Sequence, residues 1–334
     1  MANLNYLITG GAGFVGSTLV DHLIENNHYV KVVDKFFFNT KFEVNNNLEI
    51  LNKDVRELSE TDFKDIDIVI DLASISNDPS GELNPYLTYQ INGETRGRTA
   101  GLAKKAGVSG YILASSCSVY GFSDKVVDEN SSVNPLTTYA YANLLAEKLV
   151  LSQSDKDFHV LVFRQATLFG VSKRMRIDLV VNGMIFSGIK NGNINILRDG
   201  NQKRPILSLN ELNNRFLSID ERVFKKYSSE IFNIGNDDLN LSIKTIYEKI
   251  NTALGGNFEK NWYGEPDFRS YHVSFNKSKT LLPTIEAPEF FDEVEKISEF
   301  ILNNEIDEVE TNTLKWYQSL MKHNPEILNY SNNL

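Results

Sequence analysis

The run Thr9-Gly10-Gly11-Ala12-Gly13-Phe14-Val15-Gly16 carries the clearest chemistry in the chain. Gly10 suits a tight turn, Gly13 lets backbone approach a pyrophosphate, and Gly16 lets a helix pack close on a strand. Phe14 and Val15 open that helix, whose first amides would face phosphates at the positive end of the helix dipole. Asp34 follows about twenty residues later, where a carboxylate accepts from the adenosine ribose hydroxyls. A 2'-phosphate there would meet repulsion, so NAD is favoured over NADP, although Lys35 beside it blurs the preference. A glycine loop that merely caps a helix is the bland alternative, and the flanking strand, helix and acid argue against it.

Two later runs add hydroxyls. Ala114-Ser115-Ser116-Cys117-Ser118-Val119-Tyr120-Gly121 would place a serine at a strand end, and Pro135-Leu136-Thr137-Thr138-Tyr139-Ala140-Tyr141-Ala142-Asn143 enters a helix. Cys117 is the single cysteine, so no internal disulfide or cysteine-rich metal site is possible. No histidine lies near it in sequence, so a small, nearly buried residue is expected rather than a nucleophile. His22, His28, His159, His272 and His323 lack metal-ligand spacing, and no metal is expected.

These residues must be held by elements that the apolar pattern predicts. Asn5–Ile8, His28–Val33, Leu48–Leu51, Ile66–Leu72, Tyr111–Ala114 and Phe158–Phe163 read as strands. Helical spacing recurs after Phe14, over Leu83 to Lys105, and from Tyr139 to Leu151. Such alternation predicts a doubly wound parallel (Rossmann) α/β sheet that collects ligands at the carboxyl ends of its strands. Beyond Gly170 the rhythm loosens. Ile194–Leu197 suggests a short strand; Ile206 to Lys226 reads as one more helix, followed by a strand at Glu230–Gly235. Leu241 to Leu254 and Phe290 to Asn303 read as helices, and the tail after Asp307 as a peripheral one. The expected division is an NAD-binding part, 1–170 with 206–235 returning to it, and a smaller interleaved C-terminal substrate lobe, 171–205 and 236–334. Phe36-Phe37-Phe38 would pack beside the adenine or against that lobe.

At 334 residues the chain can bury a substantial core, and its composition is that of a soluble globular protein. A net charge of −10 argues against nonspecific nucleic-acid binding. No apolar run reaches membrane-spanning length, and Met1-Ala2-Asn3 leads straight into a strand without a signal peptide, so a cytoplasmic setting is expected.

With these motifs in this order, the chain resembles the extended short-chain dehydrogenase/reductase superfamily, in its nucleotide-sugar epimerase/dehydratase branch. Thr9–Gly16, Asp54-Val55, Asp71-Leu72-Ala73, the Ser116 segment, Pro135–Glu147 and Arg164–Gly170 carry the resemblance, which covers nearly the whole chain. It implies a homodimer packed through the helices after the fourth and fifth strands. It also implies NAD-dependent oxidation of a nucleoside-diphosphate hexose through a 4-keto-type intermediate. By position Tyr139 is the base, Ser116 orients the reacting hydroxyl, and Asn143 completes the catalytic set. Asp54, Val55, Leu72, Ala73, Ser74, Asn92 and Gln165, together with Tyr139 and Asn143, extend the cofactor site. Asn182, Arg204 and Arg269 join Ser116 in holding the substrate. Arg174, Arg176 and Asp178 line the sugar pocket or form a solvated loop.

Two departures matter. The family has lysine four residues after the tyrosine, one helical turn on, where its charge lowers the phenol pKa and its ammonium holds the nicotinamide ribose. This chain has Asn143, which can bond the ribose but carries no charge. Lys148 sits about 140° round the helix from it and is a poor substitute. Dehydratases of the branch carry an Asp-Glu pair directly after the hydroxyl residue; Cys117 and Ser118 stand there instead, which argues against elimination. Three readings follow: an epimerase/oxidoreductase that keeps its NAD, a ketoreductase that exchanges cofactor at each turnover, or a noncatalytic dinucleotide binder.

Overall fold

In the computed structural model, which describes residues 3–197, 199–265, 270–281 and 290–326, seven parallel strands form the central sheet. They are β1 (Asn5–Thr9), β2 (Tyr29–Asp34), β3 (Leu48–Asn52), β4 (Ile68–Asp71), β5 (Gly110–Ser116), β6 (His159–Gln165) and β7 (Glu230–Ile234). Their spatial order is β7-β6-β5-β4-β1-β2-β3. The winding reverses between β1 and β4, which opens a crevice at their carboxyl ends. This is the doubly wound sheet expected from the alternation.

The inner strands are apolar along their middles because both faces are covered, whereas the edge strand β3 is half-exposed. Ile8, Val32, Ile70, Ile112 and Leu161 point into one core, with Leu19, Val20 and Leu23 of helix α1 (Gly16–Glu25). Their neighbours Leu7, Val33, Val69, Leu113 and Val162 point into the other. There they meet Ala100 and Ala103 of helix α2 (Arg96–Lys105) and Ala146 and Val150 of helix α3 (Thr138–Leu151).

The helical stretch expected over Leu83 to Lys105 begins at Pro85 and is interrupted by a π-helical turn, Gln90–Thr95, before α2. Gly93, Gly97 and Gly101 fall four apart on the face that meets α3. A Cβ on Gly97 would come within 2.6 Å of Leu149 Cβ, and one on Gly93 within 2.8 Å of Leu145 Cδ2. Only glycine permits so close an approach. A Gly97→Val substitution should therefore cost about 1–3 kcal/mol of stability. Calorimetric melting measures this, and an unchanged melting temperature would contradict the packing described.

Ile206 to Lys226 is not one helix. The chain instead forms a strand, Lys203–Ser208, and two helices, Leu209–Leu217 and Glu221–Tyr227. Each helix starts on its own cap: Ser208 Oγ accepts from Glu211 N at 3.1 Å, and Asp220 Oδ1 from Val223 N at 3.0 Å. The new strand lies between Thr167–Phe169 and Asn240–Ser242 in a small sheet. A second core, including Phe169, Met184, Ile185, Ile194, Ile206, Ile246, Val294 and Ile297, gathers around the later helices. Among the described residues, no helix is long and apolar enough to cross a membrane.

Candidate active site

A cleft of about 920 Å³ runs along the carboxyl ends of the strands. At one end lies the glycine turn. Gly10 has φ +67°, and a Cβ there would sit 2.8 Å from the Ala73 backbone. A Cβ on Gly16 would lie 2.5 Å from Gly10 O and Gly11 Cα, so the helix can pack this close only without one. Gly13, Phe14 and Val15 also line the cleft. No side chain caps α1 at Val15 and no acid occupies its first turn, which leaves that end to an anion.

Asp34 closes this end. Its Oδ2 accepts from Ala12 N at 3.0 Å and its Oδ1 from Phe36 N at 2.8 Å, tying β2 to the glycine turn. Burial raises its carboxyl above the ordinary range against the pull of these amides. Lys35 stands beside it on the cleft wall. Across the floor, burial works against the Asp54 carboxylate. The amide and guanidinium of Arg56, bonded to it at 2.8–3.0 Å, nevertheless hold its pKa below the usual range. Val55, Leu72, Ala73, Ser74 and Gln165 continue the wall.

The other end holds the hydroxyls. Ser116 ends β5, where its Oγ accepts from Ser118 N at 3.1 Å. Tyr139 lies in the first turn of α3, which Thr137 caps through a 3.2 Å bond from Ala140 N. Ser116 and Tyr139 face the same cleft. Burial raises the Tyr139 phenol, as does Asp78; Arg96, Arg176 and the Asn143 side chain pull it back down. Ser74 Oγ, Ser118 Oγ, Gln165 Nε2 and both amide atoms of Gln202 are buried without a partner, and all four side chains line the cleft. Buried polar atoms are normally satisfied, so these are donors and acceptors suited to a ligand.

Three residues expected at the site lie behind the wall. Asn143 is 1% exposed, donates to Tyr139 O at 2.9 Å and accepts from Arg96 Nη1 at 3.2 Å. Asn92 bonds both Ile75 N and Ile75 O, at 2.8 and 3.0 Å, and so holds the loop that follows β4. Asn182 does the same for Gly170, at 3.1 and 3.0 Å. Arg204 lines the cleft with its guanidinium 5.6 Å from the Tyr271 ring centre. Arg269 lies outside the described residues.

Arg176 and Asp178 are not a solvated loop: they form a buried pair at 2.7 and 3.0 Å on the cleft wall. Arg174 stacks 3.9 Å over the Phe38 ring and donates to Thr313 Oγ1 at 2.9 Å. Nor is the tail helix, α4 (Thr313–His323), peripheral. Trp316 Nε1 donates to Phe37 O at 2.6 Å, Tyr317 sits edge-on to Phe38, and Lys315 and Tyr317 line the cleft. The sequence signal was the helical spacing of Leu314, Tyr317 and Met321. Phe37 and Phe38 thus pack against this helix.

Residues 6–235 match the NAD dependent epimerase/dehydratase family. A putative UDP-glucose 4-epimerase of Methanocaldococcus jannaschii is 28% identical over 256 residues, covering 75% of this chain and 82% of that protein. UDP-glucuronic acid decarboxylase 1 of Danio rerio is 31% identical over 245 residues, 70% of this chain; the match spans only 56% of that longer protein. Among solved structures, a UDP-glucuronic acid 4-epimerase of Bacillus cereus, crystallised with UDP-glucuronic acid and NAD, superposes with TM-score 0.79. It is 24% identical, over 90% of this chain and 99% of that one. An NAD dependent NDP-hexosamine 5,6-dehydratase superposes with TM-score 0.81 at 21% identity, over 92% and 100%. At these identities the superpositions show the shared fold.

Proposed function

The chain belongs to the NAD-dependent epimerase/dehydratase family, and on that footing we propose that it is a nucleotide-sugar epimerase/oxidoreductase acting on a nucleoside-diphosphate hexose. The observation that carries this reading is one cleft with a glycine cradle and Asp34 at one end and Ser116 with Tyr139 at the other. NAD fits the first end: the Gly10 and Gly16 positions are too close to backbone for any side chain, and the first turn of α1 faces the cavity. When bound, NAD would supply reversible oxidation of a sugar carbinol to a ketone. Tyr139, as phenolate, takes the proton of the sugar hydroxyl and later returns it. Ser116 Oγ holds the reacting oxygen in line, and Arg204 offers a planar cation to the diphosphate. Cys117 is buried and donates to Arg164 O at 3.3 Å, so it has no access to a substrate proton for elimination.

The experiment is proton NMR of UDP-glucose, UDP-N-acetylglucosamine and UDP-glucuronic acid incubated with the NAD-loaded protein. Inversion at C4 of one of them is expected. An NAD-loaded protein that leaves such nucleotide sugars unchanged would reject the reading.

Asp34 adds a pH dependence. Its carboxyl titrates above the ordinary range in the free protein, so protonation on acidification removes the charge that receives the ribose hydroxyls. NAD affinity should fall as pH drops through that raised value, and the slope should be absent in Asp34→Asn. Calorimetric titration at several pH values measures it; parallel curves for the two proteins would exclude the role.

The reading divides the molecule into a cofactor part, 1–170 with 206–235, and a substrate lobe, 171–205 with 236–334. It also includes a cytoplasmic homodimer, checked by fractionation and by sedimentation. Tyr86 and Tyr141, exposed on the neighbouring helices Pro85–Tyr89 and α3, supply apolar surface for that contact. A sedimenting mass of one chain would remove the dimer.

A further inference from the structure

Arg96 begins α2 directly after the π-helical turn and is 2% exposed, a burial that a charge tolerates only when thoroughly bonded. Its Nε donates to Asp71 Oδ2 at 3.1 Å, and its Nη2 to Asp71 O at 2.6 Å and Ala114 O at 2.8 Å. Its Nη1 donates to Asn143 Oδ1 at 3.2 Å, and Asn143 Nδ2 in turn holds Tyr139 O at 2.9 Å. Ala114 lies two residues before Ser116 on β5. One guanidinium is therefore bonded to the strand that carries the serine, and through Asn143 to the helix that carries the tyrosine.

We propose that Arg96 supplies, from the neighbouring helix, the fixed positive charge behind the Tyr139 phenol for which related enzymes use a lysine at position 143. Asn143 is then the fitting partner, because its carbonyl accepts the fourth guanidinium bond where an ammonium would be repelled. Arg96 touches neither cofactor nor substrate; it is a positioning residue that acts on Tyr139. The charged groups around the pair are few. Asp71 opposes Arg96 from β4, but its carboxylate also accepts from Thr9 Oγ1 at 2.6 Å and from Tyr111 Oη at 2.7 Å. Asp78 acts on the phenol against Arg96, and Arg176 from the facing lobe acts with it. The glycine face of α2 keeps this cation close to α3: with Gly97 against Leu149, no side chain spaces the two helices apart.

The inference rests on the epimerase/oxidoreductase reading for its consequence, but the phenol can be titrated without substrate. The probe is ultraviolet difference titration, each protein referenced to its own Tyr139→Phe counterpart, with circular dichroism reporting the fold. In Arg96→Gln the Tyr139 midpoint should rise by about one pH unit, and Arg96→Lys should restore most of it. Asn143→Lys alone should lower the melting temperature without lowering the midpoint, because two cations would then share a buried site. Arg96→Gln with Asn143→Lys should recover both. A midpoint unmoved in folded Arg96→Gln overturns the proposal. So does a midpoint that falls in Asn143→Lys with its melting temperature intact, a result obtainable even if Arg96→Gln does not fold. If the titrations behave as stated but no nucleotide sugar is turned over, the enzymatic reading fails and the Arg96 assignment stands. Turnover with unmoved titrations does the reverse.

Discussion

Tyr139→Phe is expected to lower turnover by roughly 10²–10⁴-fold, because it removes the one oxygen that would move the proton and leaves the packing of the ring in place. Tyr139 lines the same cleft as Ser116, from the first turn of α3. Its environment also fixes the sign of a pH effect. Burial first, then Asp78, keeps the phenol protonated to a pH above the ordinary tyrosine value. On the proposed mechanism the active form is the phenolate, so the rate should climb with pH towards that raised value. In the phenylalanine variant the climb should disappear. Pre-steady-state absorbance of the reduced cofactor across pH gives both quantities. A variant retaining both rate and slope would move the base elsewhere in the cleft.

The second large effect concerns stability. Arg164 on β6 donates to both Glu147 oxygens on α3, at 2.9 and 2.7 Å, and to Tyr120 Oη at 3.0 Å. Ser115 Oγ on β5 donates to the same carboxylate at 2.6 Å. The Arg164 and Glu147 side chains are 5% and 2% exposed. Arg164→Met would strand a buried carboxylate, and breaking such a pair from one side costs about 3–5 kcal/mol. Replacing both, as Arg164→Met with Glu147→Leu, should return most of the loss, since a well-packed apolar pair is often no worse than a buried ionic one. Denaturant unfolding of the three proteins decides it. A single variant as stable as the parent would mean that solvent reaches the pair. Ser115 neighbours Ser116, so the single variant should also loosen the strand end that presents the site serine.

Some of this could be read from the chain before any coordinates. The glycine turn, Asp34 and the short apolar runs obey local rules, so β1, β2 and α1 are legible at once. Ile206 to Lys226 was not, because its break depends on caps at Ser208 and Asp220 inside a stretch with helical spacing. Arg96 was invisible for another reason. An arginine in the polar sequence Glu94-Thr95-Arg96-Gly97-Arg98 reads as a solvated face, and nothing local announces the π-helical turn or the contact with Asn143. Asn92 and Asn182 carry the same lesson, since an amide that bonds backbone behind a cleft and one that bonds a ligand within it look alike in sequence. Arg174, Arg176 and Asp178 read as a polar run, but only long-range packing shows the two arginines buried and Asp178 nearly so.

The bond from Trp316 to Phe37 spans 279 residues. As the ribosome delivers the polypeptide, the sheet can assemble well before Asn312 to Tyr317 emerge to finish the coenzyme end of the cavity. A newborn chain thus has an open door there that the later segment partly shuts, and truncating the chain just ahead of Asn312 would leave it open while every strand of the central sheet, the last ending at Ile234, is already present.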